Sequence, residues 1–223
     1  MPREPSARSP VELVIFDCDG VLVDSERVAV HVDQRVLAHL GWELQIDEII
    51  ERFLGGTTAS FRAAVEQHLA RALPETWESP YEAWYEQAFT DELVAVDGIE
   101  EALDALDVLT CVASNGPHAK LNRTLGLTGL LHRFEGRRFS SDDVVHGKPA
   151  PDLYLHAAQT MGVAPARCVV VEDSRPGATA ALAAGMRVLG YAGGLTPGRW
   201  LHDLGATVFD DMRDVPALVA GMR

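Results

Sequence analysis

Two aspartates separated by one residue follow the first apolar segment of the chain. This segment, VELVIF at residues 11–16, is followed by Asp17, Cys18, Asp19 and Gly20. Two carboxylates so close together repel each other unless a cation or a shared proton relieves the charge. The spacing therefore indicates a bound Mg²⁺ or a carboxyl group with a shifted pKa. The alternative is a polar strand-to-turn junction in which Gly20 supplies the turn.

A second acidic pair stands at the end of another apolar segment. Glu172 ends the segment CVVVE at residues 168–172, and Asp173, Ser174 and Pro176 follow it. Asp173 or Ser174 could simply cap a helix that begins near Pro176. Parallel strands, however, end at one edge of their sheet, and that edge is where open α/β proteins bind ligands. Two acidic pairs there supply the oxygen ligands that Mg²⁺ prefers, so the sequence predicts a metal site.

A serine and a lysine supply groups that could hold a phosphate. Ser114 ends the segment LTCVAS and is followed by Asn115, Gly116 and Pro117. A serine hydroxyl and the free amides at a helix start can bind phosphoryl oxygens, although Ser114 could equally be a plain N-cap. Lys148 lies in the Gly/Pro loop HGKPAPD. A lone loop lysine is usually a solvated charge, but the carboxylates and a phosphate require a cation here.

Short apolar segments alternate with helical patterns over most of the chain. The segments at residues 11–16, 109–114, 168–172 and 187–191 have the composition of strands buried on both faces. Amphipathic or alanine-rich stretches lie between them, which predicts a parallel α/β sheet. Residues 25–96 break this alternation. They predict several helices and no strand, near residues 28–40, 60–73 and 81–90, and so an inserted all-helical domain.

Composition and charge exclude several classes of protein. The 223 residues are 47% hydrophobic and 23% charged, which is typical of a soluble globular protein, and no apolar run is long enough to span a membrane. The net charge of −14 disfavours nucleic acid and anionic lipid as partners. Residues 1–10 lack the apolar core of a signal peptide and are expected to form a disordered tail. Three cysteines in apolar surroundings indicate reduced thiols, and we expect a cytoplasmic protein.

Four sequence motifs together resemble those of a known family. FDCDGVLVDSE, VASNG, GKPAPD and VVVEDSRPG occur in this order. They are similar to the motifs of the haloacid dehalogenase (HAD)-like superfamily, and within it to the β-phosphoglucomutase-like and 6-phosphogluconate phosphatase-like group. The resemblance implies a doubly wound parallel α/β sheet, the Rossmann-like HAD core, formed by residues 11–24 and 97–223. It also implies an inserted helical cap at residues 25–96.

The resemblance also implies a mechanism and a role for each motif residue. Asp17 would be the nucleophile that forms an aspartyl-phosphate, and Asp19 the general acid and then the general base. Ser114 and Lys148 would complete the phosphoryl site. The cofactor would be Mg²⁺, held by Asp17, the backbone oxygen of Asp19, Glu172 and Asp173. The substrate would be a small phosphorylated metabolite, either a sugar phosphate or a sugar-acid phosphate.

The cap is expected to select the substrate. The loop at residues 54–58 resembles the cap specificity loop of HAD relatives, which makes Gly56, Thr57 and Thr58 candidate substrate-binding residues. Arg62 is a candidate for a substrate carboxylate or distal phosphate, and the alternative is an exposed helix charge. Asn115 and Lys120 are further candidates for substrate contact.

Two other activities remain as alternatives. A β-phosphoglucomutase-like mutase would carry a cap histidine where this chain has Ala29 and a cap arginine where it has Thr58. His31 is rotated by about 200° on a helix relative to Ala29, so a phosphatase is favoured. A non-catalytic phosphometabolite-binding protein would have lost one of the core residues, and all of them are present. Oligomeric state is not predicted, and a monomer is compatible with the sequence.

Overall fold

A six-stranded parallel sheet forms the centre of the molecule. We describe a computed structural model of the chain, covering residues 10–56 and 58–222, so the tail predicted at residues 1–10 lies outside the described residues except for residue 10. The strand order is β3-β2-β1-β4-β5-β6, and every neighbouring pair is parallel. The strands are β1 (Leu13–Phe16), β2 (Leu109–Ser114), β3 (Arg138–Ser140), β4 (Cys168–Glu172), β5 (Arg187–Tyr191) and β6 (Thr207–Phe209).

Each face of this sheet buries its own apolar layer. Successive residues of a strand point to opposite faces, so Val14 and Phe16 enter one apolar cluster while Leu13 and Ile15 enter the other. Helices cover both faces, and the predicted doubly wound α/β fold is confirmed. The core helices are α5 (Ile99–Ala105), α6 (His118–Leu127), α7 (Asp152–Thr160), α8 (Arg175–Ala183), α9 (Gly198–His202) and α10 (Val215–Gly221), and they follow the four cap helices given below.

The predicted strands differ from the observed ones mainly at the edges of the sheet. β2, β4 and β5 have the predicted bounds, whereas β1 begins at Leu13, two residues later than predicted. β3 and β6 were not predicted. Each is only three residues long and lies at a sheet edge, so neither needs the apolar run that marks a central strand.

Four helices form the predicted helical insertion between β1 and β2. They are α1 (Ser25–Leu40), α2 (Ile46–Phe53), α3 (Thr58–Leu69) and α4 (Glu82–Glu92). Their shared apolar cluster includes Val36, Ile49, Val65 and Trp77 and is separate from the two clusters of the sheet. α3 ends earlier than predicted, where Ala70 adopts a positive φ of 50°. None of the helices in the described part of the chain is long and apolar enough to cross a bilayer.

Helix α2 was missed in the sequence, although its short segment carries a helix signal. Ile46, Ile49, Ile50 and Phe53 have the i, i+3, i+4, i+7 spacing of one helix face. A capping box starts the helix, in which the backbone N–H of Gln45 donates to Glu48 Oε2 at 3.0 Å. The loop that follows the helix, residues 54–56, lines the hollow that Asp173 and α8 line from the core.

The helical insertion is joined to the core by two adjacent backbone segments. The N–H of Asp24 donates to the carbonyl of Val94 and the N–H of Val96 to the carbonyl of Leu22, both at 3.0 Å. Further contacts cross the cleft away from this connection. Arg199 Nη2 lies 3.3 Å from Glu51 Oε2, and Arg123 Nη2 donates to the carbonyl of Glu86 at 3.2 Å. These contacts close the four helices over the edge of the sheet.

We expect Ile49→Ala to destabilise the protein, because Ile49 is fully buried where α2 packs in the cap cluster. Truncation of a buried isoleucine to alanine lowers the free energy of unfolding by about 2–5 kcal/mol. Denaturant unfolding of the wild type and the variant measures the change. Gln67→Ala, at an exposed position on α3, is the control and should change stability by less than about 0.5 kcal/mol. Equal effects of the two substitutions would contradict the assigned packing of α2.

Candidate active site

Three adjacent parallel strands bring the predicted residues to one edge of the sheet. β1 lies between β2 and β4, with Phe16 in register with Val112 on one side and Val171 on the other. The N–H of Asp17 extends this ladder by donating to the carbonyl of Val171 at 2.9 Å. Asp17 and Asp19 therefore follow β1 beside the ends of its neighbours. These neighbouring ends supply Ser114 from β2 and Glu172 and Asp173 from β4.

Three buried carboxylates meet at this edge. One carboxylate oxygen from each of Asp17, Glu172 and Asp173 lies within 4.8 Å of the other two. Glu172 has no exposed surface, and the other two are less than a tenth exposed. Such a cluster of oxygen donors fits a divalent cation, because the negative charges otherwise repel each other in a site that water hardly reaches.

Lys148 is the one cation that contacts this cluster directly in the described part of the chain. Its Nζ donates to Asp17 Oδ1 at 2.6 Å and to Glu172 Oε1 at 2.9 Å, and it lies 4.8 Å from the centre of the Tyr154 ring. Burial alone would lower the pKa of Lys148, but the negative charges of Asp17 and Glu172 hold it well above its ordinary value. The lysine is therefore a fixed positive charge that also orients the Asp17 carboxylate.

One lysine does not balance three carboxylates. Burial raises the pKa of Asp17 to about 7, the positive charge of Lys148 opposes this shift, and the negative charge of Glu172 adds to it. Burial, together with Glu172 and Asp17, also raises the pKa of Asp173 well above its usual range. Without a further cation these two carboxyl groups therefore keep their protons to a higher pH than a free aspartate does. A divalent cation would displace them and supply the missing positive charge.

Asp19 stands beside the cluster and is paired with a different lysine. Its Oδ2 accepts a hydrogen bond from Lys120 Nζ at 2.8 Å. Its Oδ1 is buried and has no hydrogen-bond partner among the described residues. A buried carboxylate oxygen without a partner costs free energy, so this atom is available to a bound molecule.

Two glycines let the acidic segments approach each other. Gly20 has a φ of +75°, and a Cβ atom built there would lie 2.1 Å from Asp173 Oδ2. A Cβ atom on Gly177 would lie 1.5 Å from Glu172 Oε1. The same α8 terminus holds Glu172, whose Oε2 accepts from the backbone N–H of Ser174 at 2.6 Å. Of the two predicted capping residues, Ser174 is the N-cap, and its Oγ accepts from the N–H of Gly177 at 3.1 Å.

Ser114 and Asn115 are adjacent in sequence but have different hydrogen-bond partners. Ser114 is buried at the end of β2, and its Oγ accepts from the N–H of Gly116 at 3.0 Å. It does not cap α6, whose N-cap residue is Pro117. Asn115 accepts from the N–H of Lys148 at 2.8 Å and donates to the carbonyl of Lys148 at 3.0 Å. Asn115 therefore fixes the lysine loop through both ends of its side-chain amide, and its predicted substrate contact stays a prediction.

A cavity of about 660 Å³ is lined by the four helices of the insertion and by Lys120 of α6, which is bonded to Asp19. Of the candidate substrate-binding residues, Gly56, Thr58 and Lys120 line it, while Thr57 lies outside the described residues. Acidic and aromatic side chains form most of the remaining wall. They are Glu26, Asp33, Glu78, Glu82 and Glu86 together with Phe53, Phe61, Trp77, Tyr81, Tyr85 and Phe89.

The structure does not bring Arg62 to this cavity. Its Nε donates to Glu66 Oε1 at 3.0 Å and its Nη2 to the carbonyl of Leu73 at 2.7 Å. The N–H of Leu73 in turn donates to Glu66 Oε1 at 2.8 Å. The Arg62 guanidinium thus holds the segment after α3 against the helix, because it donates to the backbone carbonyl of Leu73. The alternative given for Arg62, an exposed helix charge, is nearer to what is observed.

Two site residues were not singled out in the sequence. Glu26 lines the cavity from the first turn of α1, and burial with the nearby charge of Asp19 raises its pKa to about 7. Tyr154 lies in the buried cluster, where its hydroxyl donates to Glu172 Oε1 at 3.3 Å. Both stand inside or next to the quoted motifs FDCDGVLVDSE and GKPAPD. Their positions in or beside these motifs could have identified them as candidate site residues.

We expect Asp173→Asn to stabilise the metal-free protein above neutral pH. A carboxyl group whose pKa is raised by folding binds more protons in the folded state, so its contribution to stability is present below about pH 4 and lost as the pH rises through the raised pKa. The pKa of Asp173 is raised in this way, so Asp173→Asn should reduce the loss of stability that occurs as the pH rises. In EDTA near pH 8 the variant should be more stable than the wild type by about 1 kcal/mol or more.

Denaturant unfolding from about pH 5 to about pH 8 measures this difference. The exposed Asp210→Asn is the matched control and should follow the wild type. Added Mg²⁺ should stabilise the wild type and Asp210→Asn but not Asp173→Asn. A variant less stable than the wild type in EDTA would contradict the charge imbalance described above.

Comparison with known proteins agrees with this geometry. A family model described as haloacid dehalogenase-like hydrolase matches residues 11–185. Two curated relatives come from Escherichia coli K12. The chain is 36% identical over 181 residues to its 6-phosphogluconate phosphatase, covering 81% of this chain and 82% of the relative. It is 32% identical over 181 residues to its fructose-1-phosphate phosphatase, covering 78% of this chain and 92% of the relative.

A solved structure from Agrobacterium tumefaciens C58 has the same fold over nearly its whole length. It is a conserved haloacid dehalogenase-like protein of unknown function, with a TM-score of 0.89 and 38% sequence identity. The match covers 95% of this chain and 99% of that chain. The resemblance carried by the four motifs is thus confirmed. The chain belongs to the haloacid dehalogenase-like hydrolases and is a phosphatase of that family.

Proposed function

We propose that this phosphatase is Mg²⁺-dependent and hydrolyses the phosphate monoester of a small metabolite through an aspartyl-phosphate on Asp17. The substrate class is a sugar phosphate or a related phosphorylated metabolite. The observation that carries the proposal is the Asp17 carboxylate itself. It is buried within a cluster of three carboxylates and held by Lys148 at 2.6 Å, with Asp19 only two residues away.

Asp17 acts as the nucleophile. Lys148 bonds Asp17 Oδ1, which fixes the carboxylate and leaves its second oxygen to attack phosphorus. The bond from oxygen to phosphorus forms as the ester oxygen of the substrate leaves, so one difficult displacement becomes two easier ones. The second contact of Lys148, to Glu172, keeps the ammonium in place while charge moves to the substrate.

Asp19 moves the protons. In its acid form it donates a proton to the leaving alkoxide, and as a carboxylate it then accepts a proton from the water that attacks the phosphoenzyme. Its Oδ1 is unpaired, and this oxygen serves both transfers. Lys120 bonds Oδ2 and thereby orients the carboxyl group.

The metal and the phosphoryl oxygens share the edge of the sheet. Asp17, Glu172, Asp173 and the backbone oxygen of Asp19 would hold Mg²⁺, which when bound neutralises negative charge on the transferring phosphoryl group. Ser114, at the end of the neighbouring strand, and the backbone amides after it would donate to phosphoryl oxygens.

The cavity supports hydrolysis over phosphate transfer within the substrate. A mutase of this family would use a cap histidine and a cap arginine, and the two aligned positions, Ala29 and Thr58, both line the cavity. Neither an alanine nor a threonine side chain can move a proton near neutral pH or hold a second phosphate as an arginine would. Water is therefore the acceptor in the second step. Turnover without added bisphosphate distinguishes the phosphatase from the mutase.

The first test is Mg²⁺-dependent phosphate release from a panel of phosphorylated sugars, polyols and nucleotides. We expect Asp17→Asn to lose activity by about 10³-fold or more, because no nucleophile remains. Glu135→Gln, an exposed position on the core, is the control and should retain wild-type activity. Wild-type activity in Asp17→Asn, or release that does not depend on Mg²⁺, would contradict the proposal.

Asp19→Asn separates the two chemical steps. p-Nitrophenolate leaves without a proton, so the variant should still phosphorylate Asp17 with p-nitrophenyl phosphate but fail to activate water. Rapid mixing should then give a burst of p-nitrophenol close to one equivalent of enzyme, followed by slow turnover. Asp17→Asn should give no burst. A steady wild-type rate in Asp19→Asn would remove Asp19 from the second step.

A further inference from the structure

The cavity of about 660 Å³ adjoins the Asp17 site through Lys120, although no carboxylate of the buried cluster lines it. Lys120 and Glu26 line the cavity on its core side, and Lys120 is bonded to Asp19. With the phosphorus atom at Asp17, the ester oxygen faces Asp19 and the rest of the molecule extends towards α1, α4 and the loop at Gly56. The charges of this wall therefore act on the part of the substrate that differs from one phosphate ester to another.

The wall is strongly acidic. Five carboxyl groups line the cavity, on α1, on α4 and on the segment before α4: Glu26, Asp33, Glu78, Glu82 and Glu86. The one cation among the lining residues is Lys120, and its charge is already paired with Asp19 at 2.8 Å. A carboxylate or a second phosphate on the substrate would find no free cation in this wall and would lie near the negative charges of Glu78 and Glu82, which are exposed.

None of the neighbouring arginines lines this cavity. Arg62 is bonded to Glu66 and Leu73. Arg123 donates to the Glu86 carbonyl, and its Nη1 lies 3.9 Å from the Glu86 carboxylate, so it offsets part of that one charge. Arg52 and Arg175 line an adjoining hollow of about 290 Å³, which shares Glu26, Gly55 and Gly56 with the cavity and is also lined by Asp173. Arg52 lies over the ring of Trp42 and Arg175 over the ring of Trp200, and neither arginine lines the larger cavity.

The same wall offers suitable contacts to an uncharged, hydroxyl-bearing molecule. Carboxylates accept hydrogen bonds from hydroxyl groups, and aromatic rings such as those of Trp77 and Tyr81 pack against C–H surfaces. Tyr85 donates its hydroxyl hydrogen to Asp33 Oδ1, which fixes that carboxyl group and leaves its second oxygen for a ligand. Asp19 Oδ1, buried and unpaired, is a further acceptor at the inner end.

We infer that the substrate is a phosphate monoester of an uncharged polyhydroxy alcohol or sugar, and that esters with a second anionic group are rejected by the acidic wall of the cavity. This inference rests on the proposed function, because it takes the phosphoryl group to be bound at Asp17. The preferred substrate would then differ from that of the 36% identical E. coli 6-phosphogluconate phosphatase, whose named substrate carries a carboxylate.

Two matched pairs of compounds test the inference. D-Glucitol 6-phosphate and 6-phospho-D-gluconate share one carbon skeleton and differ in a terminal CH₂OH or carboxylate group, and glycerol 3-phosphate and 3-phosphoglycerate differ in the same way. In low salt with saturating Mg²⁺, kcat/KM should favour the neutral member of a hydrolysed pair by about tenfold or more. Added salt should reduce this preference, since it screens the exposed carboxylates.

A double substitution links the preference to the wall. Glu78→Gln with Glu82→Gln removes two exposed carboxylates that line the cavity. It should raise kcat/KM for the carboxylate member relative to the neutral member about threefold or more. Glu43→Gln with Glu92→Gln removes the same charge from exposed positions of the insertion away from the cavity and should not change the ratio.

The outcomes separate this inference from the proposed function. Equal or faster hydrolysis of the carboxylate members would overturn the inference and leave the phosphatase standing. Hydrolysis of p-nitrophenyl phosphate but of neither neutral member would also overturn it. A ratio that responds equally to the two double substitutions would show that net charge, not the wall, sets the preference, and would likewise overturn it. No release from any compound, p-nitrophenyl phosphate included, would instead contradict the proposed function.

Discussion

The folded chain buries three carboxylates, Asp17, Glu172 and Asp173, against one lysine at the edge of its sheet. Burial of like charges is unfavourable, and the raised pKa values of Asp17 and Asp173 express that cost. The arrangement persists because the rest of the fold enforces it. Adjacent parallel strands supply the acids from two separate parts of the chain, and the apolar layers on both faces of the sheet hold these strands in register. The charge that the protein leaves unbalanced is what suits the site to a divalent cation.

Much of the surrounding structure serves to hold this cluster rather than to touch a substrate. Asn115 uses both ends of its amide to fix the backbone of Lys148. Gly20 and Gly177 leave room where a Cβ atom would meet the carboxylates, and the start of α8 donates to Glu172. The cap then closes over a site that is already formed. Its own contribution is a wall of acidic and aromatic side chains, which act on the alcohol part of a phosphate ester.

The sequence identified those parts of the site that depend on strand ends. Central parallel strands are continuous apolar runs, so their carboxyl ends, and with them Asp17, Ser114, Glu172 and Asp173, could be located without coordinates. The edge strands β3 and β6 could not, because three residues at a sheet edge leave no such run. The hydrogen-bond partners of individual side chains could not be predicted from the sequence either. Arg62 and Asn115 are the residue types that bind anions and hydroxyls, yet each bonds backbone atoms distant in sequence from it. Glu26 lies within a quoted motif, but only the closure of α1 over the sheet reveals that it lines the cavity.

If Asp17 carries the phosphoryl group beside a divalent cation, the site should bind a mimic of the phosphoryl group in the same place. Beryllofluoride coordinates a carboxylate oxygen and imitates an acyl phosphate, so together with Mg²⁺ it should stabilise the folded state by mass action. Our account predicts a clear rise in melting temperature for the wild type with both additives, a smaller rise with either alone, and no added rise for Asp17→Asn, which lacks the carboxylate. An equal rise in Asp17→Asn, or none in the folded wild type with Mg²⁺ present, would contradict the account.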